Sequence, residues 1–262
     1  MADPKTVIVS GGTYGIGRGI VLDLARRGWN VVAFGLDGKQ PGSAADNGID
    51  GTRGALAAEG LKADVIEADV AEAGAVASVV EHAMSLHGRI DGVVNNAALR
   101  PSGTILETDE ATFDRVVAVN LKGQFLLCKA VIPLMRDAGG GAIVNIGSGA
   151  GWGKPGIAAY CASKGGVFAL STALAYDHLQ DRVRVNVVVP GPQTASGMVE
   201  EMASSGSGSG AQPVTASGRQ TQPRDIANAV AFLLSDEAAQ ISGTVVDVGA
   251  FAHQGGVGQP RV

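Results

Sequence analysis

Tyr160 and Lys164 stand four residues apart in Tyr160-Cys161-Ala162-Ser163-Lys164, a spacing that places both side chains on one helical face. A free phenol, with a pKa of about 10, is a poor base at neutral pH. A nearby ammonium stabilises the phenolate and lowers that value. Such a pair can move a proton to or from an alcohol oxygen while hydride moves elsewhere. Ser148, just after the apolar run Ala142–Ile146, can hydrogen-bond the same oxygen. Taken alone, the pair also fits an exposed helix face, and Ser148 fits a helix cap.

A second feature is Ser10-Gly11-Gly12-Thr13-Tyr14-Gly15-Ile16-Gly17, between an apolar run and a helix-length stretch. Glycines admit positive φ and let backbone N–H groups approach a pyrophosphate, whose charge a helix N-terminus favours. The spacing differs from Gly-x-Gly-x-x-Gly, and a plain tight turn is the simpler alternative. The N-terminal position between strand and helix favours a dinucleotide cradle formed by Gly11, Thr13, Tyr14, Gly15, Ile16 and Gly17. Asp37 follows Gly17 by twenty positions, where an acid can accept hydrogen bonds from an adenosine ribose. Asp37-Gly38 is equally a turn dipeptide. Tyr14, not a base, precedes Gly15, and no arginine stands beside Gly35-Leu36-Asp37. NAD is therefore expected over NADP.

The elements that must position these residues alternate. Strand candidates are Thr6–Ser10, Asn30–Phe34, Val65–Ala68, Gly92–Asn95, Ala142–Ile146, Val183–Val189 and Thr244–Val248. Between them lie helix-length stretches at Gly15–Arg27, Ala71–His87, Asp109–Met135, Ile157–Leu179 and Pro223–Leu234. The strands are apolar runs without clean alternation, as in strands covered on both faces. The expected fold is α/β: one Rossmann-type, doubly wound parallel sheet of about seven strands, with helices on both faces. Residues 1–262 are read as a single dinucleotide-binding catalytic domain, with a surface insertion at 37–54. Residues 195–222 are read as a substrate lid, although the Ser/Gly run Ser204–Gly210 also fits a slack connector.

Composition sets the outer limits. Hydrophobic residues are 45% and charged residues 17% of the 262, which excludes global disorder. The 39 glycines follow no Gly-X-Y period, so collagen is excluded. A net charge of −5 argues against nucleic acid or an anionic membrane as partner. Cys128 and Cys161 lack metal-ligand spacing and read as packing residues, and no metal is expected. His82 and His87 read as helix-surface residues and His253 as part of a solvated tail. No signal peptide is visible and no run of roughly 18 apolar residues occurs. A soluble, cytoplasmic protein with a small-molecule substrate is expected.

The motifs in this order resemble the short-chain dehydrogenases/reductases of the alcohol/ketone type, from Thr6 to about Gly249. The resemblance implies that Ser10–Gly17 is the cofactor turn and that Asp69-Val70 contacts adenine. It implies that Asn95-Asn96-Ala97-Ala98 steadies the central strand, with Asn96 and Ala97 near the ribose; Ala98 stands where the family has glycine. Asn120, Ser148, Tyr160 and Lys164 match the catalytic tetrad: Tyr160 as general acid or base, Lys164 lowering its pKa and holding the nicotinamide ribose, Ser148 positioning the substrate oxygen and Asn120 organising a relay water. Pro190-Gly191, with Thr194, looks like the segment that holds the nicotinamide amide. Gly35 occupies the place of the family's NAD-selecting acid.

The implied activity is NAD(P)-dependent hydride transfer between a secondary alcohol and its ketone, in a homotetramer. The alternatives are an NADPH-dependent 3-oxoacyl-carrier-protein-type reductase and a non-catalytic cofactor-binding regulator. Arg100, by the same resemblance, skirts the substrate pocket, where it can grip a substrate carboxylate or phosphate. The other reading of Arg100 is a solvated loop arginine.

Overall fold

The structure, a computed structural model, describes residues 3–37, 48–191, 215 and 217–249. Seven strands form one parallel sheet: β1 (Thr6–Ser10), β2 (Asn30–Gly35), β3 (Asp64–Glu67), β4 (Gly92–Asn95), β5 (Gly141–Ile146), β6 (Val183–Pro190) and β7 (Val245–Val248). Their order is β3-β2-β1-β4-β5-β6-β7. Successive strands are therefore added outward in opposite senses from β1 and from β4, and the crevice at the carboxyl ends of these two parallel strands is where such sheets bind ligands.

Both faces of the sheet are apolar because successive side chains point to opposite sides. Val7 and Val9 of β1 pack with Ile20, Val21 and Leu24 of α1 (Gly15–Arg26) and with Ile226 and Val230 of α7 (Pro223–Leu234). Ile8 faces the other layer, with Val76 and Val79 of α3 (Ala73–His87) and Leu127 and Val131 of α5 (Gly123–Asp137). Each fully buried Leu, Ile or Val stabilises the fold by roughly 1.5–3 kcal/mol. The short β-branched strands have no solvent face and so show no alternation in sequence. α7 starts where Pro223 sits in the first turn and Asp225 closes a capping box with Gln222, since both side chains satisfy otherwise unpaired amides.

Two expectations are corrected. The stretch 37–54 is not simply a surface insertion: Gly48–Ala58 forms α2, which buries Ile49 and Leu56 against the sheet. Only these two large apolar anchors mark it, among glycines that read as loop. The single helix expected over Asp109–Met135 is three pieces: α4 (Glu110–Val117), a π-helical turn at Ala118–Lys122, and α5. The combined helix Glu110–Asp137 is long and apolar enough by composition to cross a membrane, contrary to the reading above, and half of its apolar window is buried in the fold. Thr194, His253, the Ser/Gly run 204–210 and most of the expected lid lie outside the described residues.

Candidate active site

The phosphate turn is closed by its own backbone. Gly11 has φ +64° and lies against Ala97, so an added Cβ would sit 2.7 Å from the Ala97 Cα. A Cβ on Gly17 would meet the Gly11 carbonyl oxygen at 1.9 Å. No other residue fits this turn. Asn96 locks it further, donating from Nδ2 to the Gly11 carbonyl at 2.9 Å. α1 then begins with no side-chain cap and no acid in its first turn, leaving its N-terminal amides and their partial positive charge for an anion. These features fit a dinucleotide pyrophosphate.

The turn and the expected catalytic pair are joined through β4. Asn95, wholly buried, donates to Asn145 Oδ1 at 2.8 Å, and Asn145 donates to Ser171 at 2.7 Å. This buried ladder ties β4, β5 and α6 (Ala158–Asp177) together. Beyond Asn96 and Ala97, Ala98 packs with Ala150, Ile157 and Tyr160. Small residues at 97 and 98 thus let the phosphate turn and the Tyr160 pocket share one wall.

Tyr160 and Lys164 both lie on the buried face of α6. Lys164 Nζ sits 5.8 Å from the Tyr160 ring centroid and donates to the Ile146 carbonyl at 2.6 Å. Burial pushes the lysine down to about 8. Burial also raises the Tyr160 phenol, while a hydrogen bond with Ser148 and the charge of Arg100 pull it back. The cation whose field acts on the phenol here is therefore Arg100, whose Cζ is 6.0 Å from the ring centroid. Of the two readings offered for Ser148, the cap is present: its Oγ accepts from Ala150 N at 3.1 Å at the start of a short 3-10 turn, and the same hydroxyl also hydrogen-bonds Tyr160.

Asn120 occupies the π-helical turn. Its side chain exchanges two hydrogen bonds with the Leu99 backbone and donates to Ser163 Oγ at 3.0 Å. The amide is fully engaged by protein. Cys161 packs beside the Ala150, Ile157 and Tyr160 cluster and its Sγ bonds the Lys154 backbone, whereas Cys128 is buried and accepts from Asn95. Gly191, after Pro190, lies so close to β7 that a Cβ would meet the Gly249 carbonyl oxygen at 2.3 Å. Val70 is buried against Gly123. Both Asp69 carboxylate oxygens are occupied, one by Ala71 N at 2.9 Å and one by Arg115 at 2.8 Å. Among the described residues, no group of three or more His, Cys, Asp or Glu is placed to hold a metal ion.

The comparisons with known proteins agree with this geometry. A family model described as enoyl-(acyl carrier protein) reductase matches residues 11–250. A short-chain dehydrogenase/reductase from Burkholderia xenovorans superposes with a TM-score of 0.81 at 32% identity, covering 94% of each chain. The chain belongs to the short-chain dehydrogenase/reductase family. It is an NAD(P)-dependent oxidoreductase. 2-(S)-hydroxypropyl-CoM dehydrogenase 3 of Xanthobacter autotrophicus is 37% identical over 262 residues, 97% of this chain and 96% of that protein. The 3-oxoacyl-[acyl-carrier-protein] reductase FabG of Staphylococcus aureus is 34% identical over 252 residues, 93% and 96% of the two chains. Actinorhodin polyketide ketoreductase, solved with NADPH, superposes with a TM-score of 0.83 at 28% identity, covering 95% and 97%.

That last structure overturns the expected preference for NAD, since the protein in it holds NADPH. The fold supplies the physical reason. Asp37 Oδ1 accepts from Ile49 N at 3.2 Å, so one of its oxygens is shared with the start of α2, a helix the sequence hid, while its charge also acts on Tyr14. The cation missing beside Gly35 comes from α1. Arg18 reaches back to donate to the Thr13 carbonyl at 3.1 Å and to Thr52 Oγ1 at 3.0 Å. Thr13 in turn touches Gly35, where a Cβ would lie 2.8 Å from Thr13 Oγ1. Sequence reasoning missed Arg18, although it follows Gly17 directly.

Proposed function

We propose that this oxidoreductase interconverts a secondary alcohol and its ketone using NADPH, with Tyr160 as the proton-transfer group. The observation that carries this reading is a buried phenol that is bonded to Ser148 and faces two cationic side chains, Arg100 and Lys164. When bound, the nicotinamide supplies or accepts the hydride. Residues Gly11 to Gly17 and Asn96 would hold its phosphate end, and Pro190-Gly191 its amide end. Tyr160 donates its hydroxyl proton to the ketone oxygen in reduction and takes it back in oxidation. Ser148 bonds the same oxygen and steadies the charge that develops there. Arg100 favours the phenolate left behind.

The matching test follows NADPH consumption over a panel of small ketones. Tyr160→Phe keeps the ring and removes the hydroxyl. Its kcat is expected to fall about 10²–10⁴-fold with NADPH affinity nearly unchanged. A variant that retains more than half of wild-type turnover, with chemistry rate-limiting, would exclude Tyr160.

A second reading, reduction of a 3-oxoacyl thioester on a carrier protein, is favoured by the similarity to FabG. The same assay with a 3-oxoacyl thioester beside the small ketones separates the two. The resemblance further supports a homotetramer, which a single monomeric species in sedimentation equilibrium at micromolar concentration would refute.

A further inference from the structure

Arg100 stands between two fixed points. On one side, Leu99 is held at both its N–H and its carbonyl by the Asn120 side chain, at 2.7 and 2.8 Å. On the other, Gly103 N donates to the Gly156 carbonyl at 2.8 Å, and Ala158 N donates to the Gly103 carbonyl at 3.1 Å. The segment is pinned to the turn that launches the Tyr160 helix. Its guanidinium therefore sits over the Tyr160 ring at 6.0 Å because the backbone is held, not because a flexible loop drifts there.

The side chain is partly buried, yet it has no hydrogen-bond or ion-pair partner among the described residues. Arg26, Arg89, Arg115 and Arg219 each face a carboxylate. Arginine carries five N–H donors and no acceptor, and it cannot discharge by losing its proton. A half-desolvated guanidinium without an anion is costly, and the contact with a phenol face returns only about 0.5–2 kcal/mol. The protein as a whole is acidic, with net charge −5, so this fixed cation is opposite in sign to its molecule.

We infer that Arg100 is a specificity-determining residue that receives an anionic group of the substrate: a ketone or alcohol carrying a carboxylate, sulfonate or phosphate a few bonds from the reacting carbon. The planar fork suits such oxygens, which it binds in pairs. The inference rests on the proposed alcohol/ketone reading for the substrate's other half. The field of the same cation on the phenol agrees with its closeness to the reacting oxygen.

The test compares 4-oxopentanoate and 3-oxobutane-1-sulfonate with the neutral methyl 4-oxopentanoate. Binding to the NADP-loaded protein is measured by calorimetry, and NADPH-dependent turnover is followed beside it. The wild type is expected to bind the anionic ketones about ten- to a hundredfold more tightly than the ester, as for hydrogen bonds to charged groups. Arg100→Met should close that gap to within about twofold, and Arg100→Lys should keep part of it. No preference in the wild type, a preference that survives Arg100→Met, or a loss confined to NADPH affinity would each overturn the assignment. The binding arm needs no turnover. If Tyr160→Phe stays active, the proton-transfer reading fails while the Arg100 comparison still stands or falls by itself.

Discussion

Asn120 grips both backbone polar groups of Leu99, accepting from its N–H at 2.7 Å and donating to its carbonyl at 2.8 Å. The helix bulges into a π turn at that point. This turn is thereby coupled to the segment that carries Arg100, and the third bond of Asn120, to Ser163, reaches the Tyr160 helix. Asn120 is a positioning residue for the whole mouth of the site.

Asn120→Ala should therefore act on two readouts together. Losing the part-buried bonds to the Leu99 backbone costs about 0.5–1.5 kcal/mol each, visible as a lower denaturant midpoint. Releasing the segment should also shrink the preference for anionic over neutral ketones, which a purely structural role would not alter. A variant with the wild-type midpoint and the wild-type preference would contradict the coupling.

Lys164 is held at a cost to stability. Burial lowers it to about 8 against the free lysine value of 10.5. Below pH 8 both folded and unfolded chains hold the proton, and the folded chain bears the whole penalty, about 3 kcal/mol from that difference at 1.36 kcal/mol per pK unit. Between about 8 and 10.5 the unfolded chain binds more protons, so the penalty is relieved and stability rises with pH. Lys164→Met should raise the Tm of the cofactor-free protein by a few degrees at pH 7, less the lost bond to Ile146, while turnover collapses. The gain should fade as pH rises through about 8 to 10. A variant less stable than wild type at pH 7 would show that the Ile146 bond outweighs burial.

Arg18 donates to the Thr13 carbonyl beside the Thr13–Gly35 contact. Arg18→Met should lower kcat/KM for NADPH roughly tenfold more than for NADH, since a charge-assisted contact to a phosphate contributes about 1.5–3 kcal/mol. Equal losses with both cofactors would leave Arg18 as a brace for the turn through Thr13 and Thr52.

Much of this was legible in the chain. The apolar runs marked all seven strands, because strands covered on both faces keep a plain β-branched signature. Tyr160 and Lys164 were placed on one face by helical period alone, and the position of the glycines between strand and helix, not their spacing, pointed to a phosphate turn. Where the reading failed, the deciding partner was distant in sequence. α2 has two large apolar anchors, Ile49 and Leu56, too few for a period to show, and it forms because the sheet is there to receive them. The π turn carries Asn120, whose partner Leu99 lies twenty-one residues away.

The sequence by itself determined the parallel sheet, the glycine turn between β1 and α1 and the placing of Tyr160 and Lys164 on one helix face, because each follows from local period, glycine conformational freedom or helical spacing. Only the tertiary structure decided the electrostatics. Arg18 and Arg100 stand on different elements, and what each cation faces is set by how α1 and the end of β4 pack on the sheet. One oxygen of Asp37 is engaged by Ile49 N at the start of α2, a partner twelve residues away. Charge acts through space at separations the chain order does not encode, so cofactor and substrate preference could not be read from neighbours in sequence.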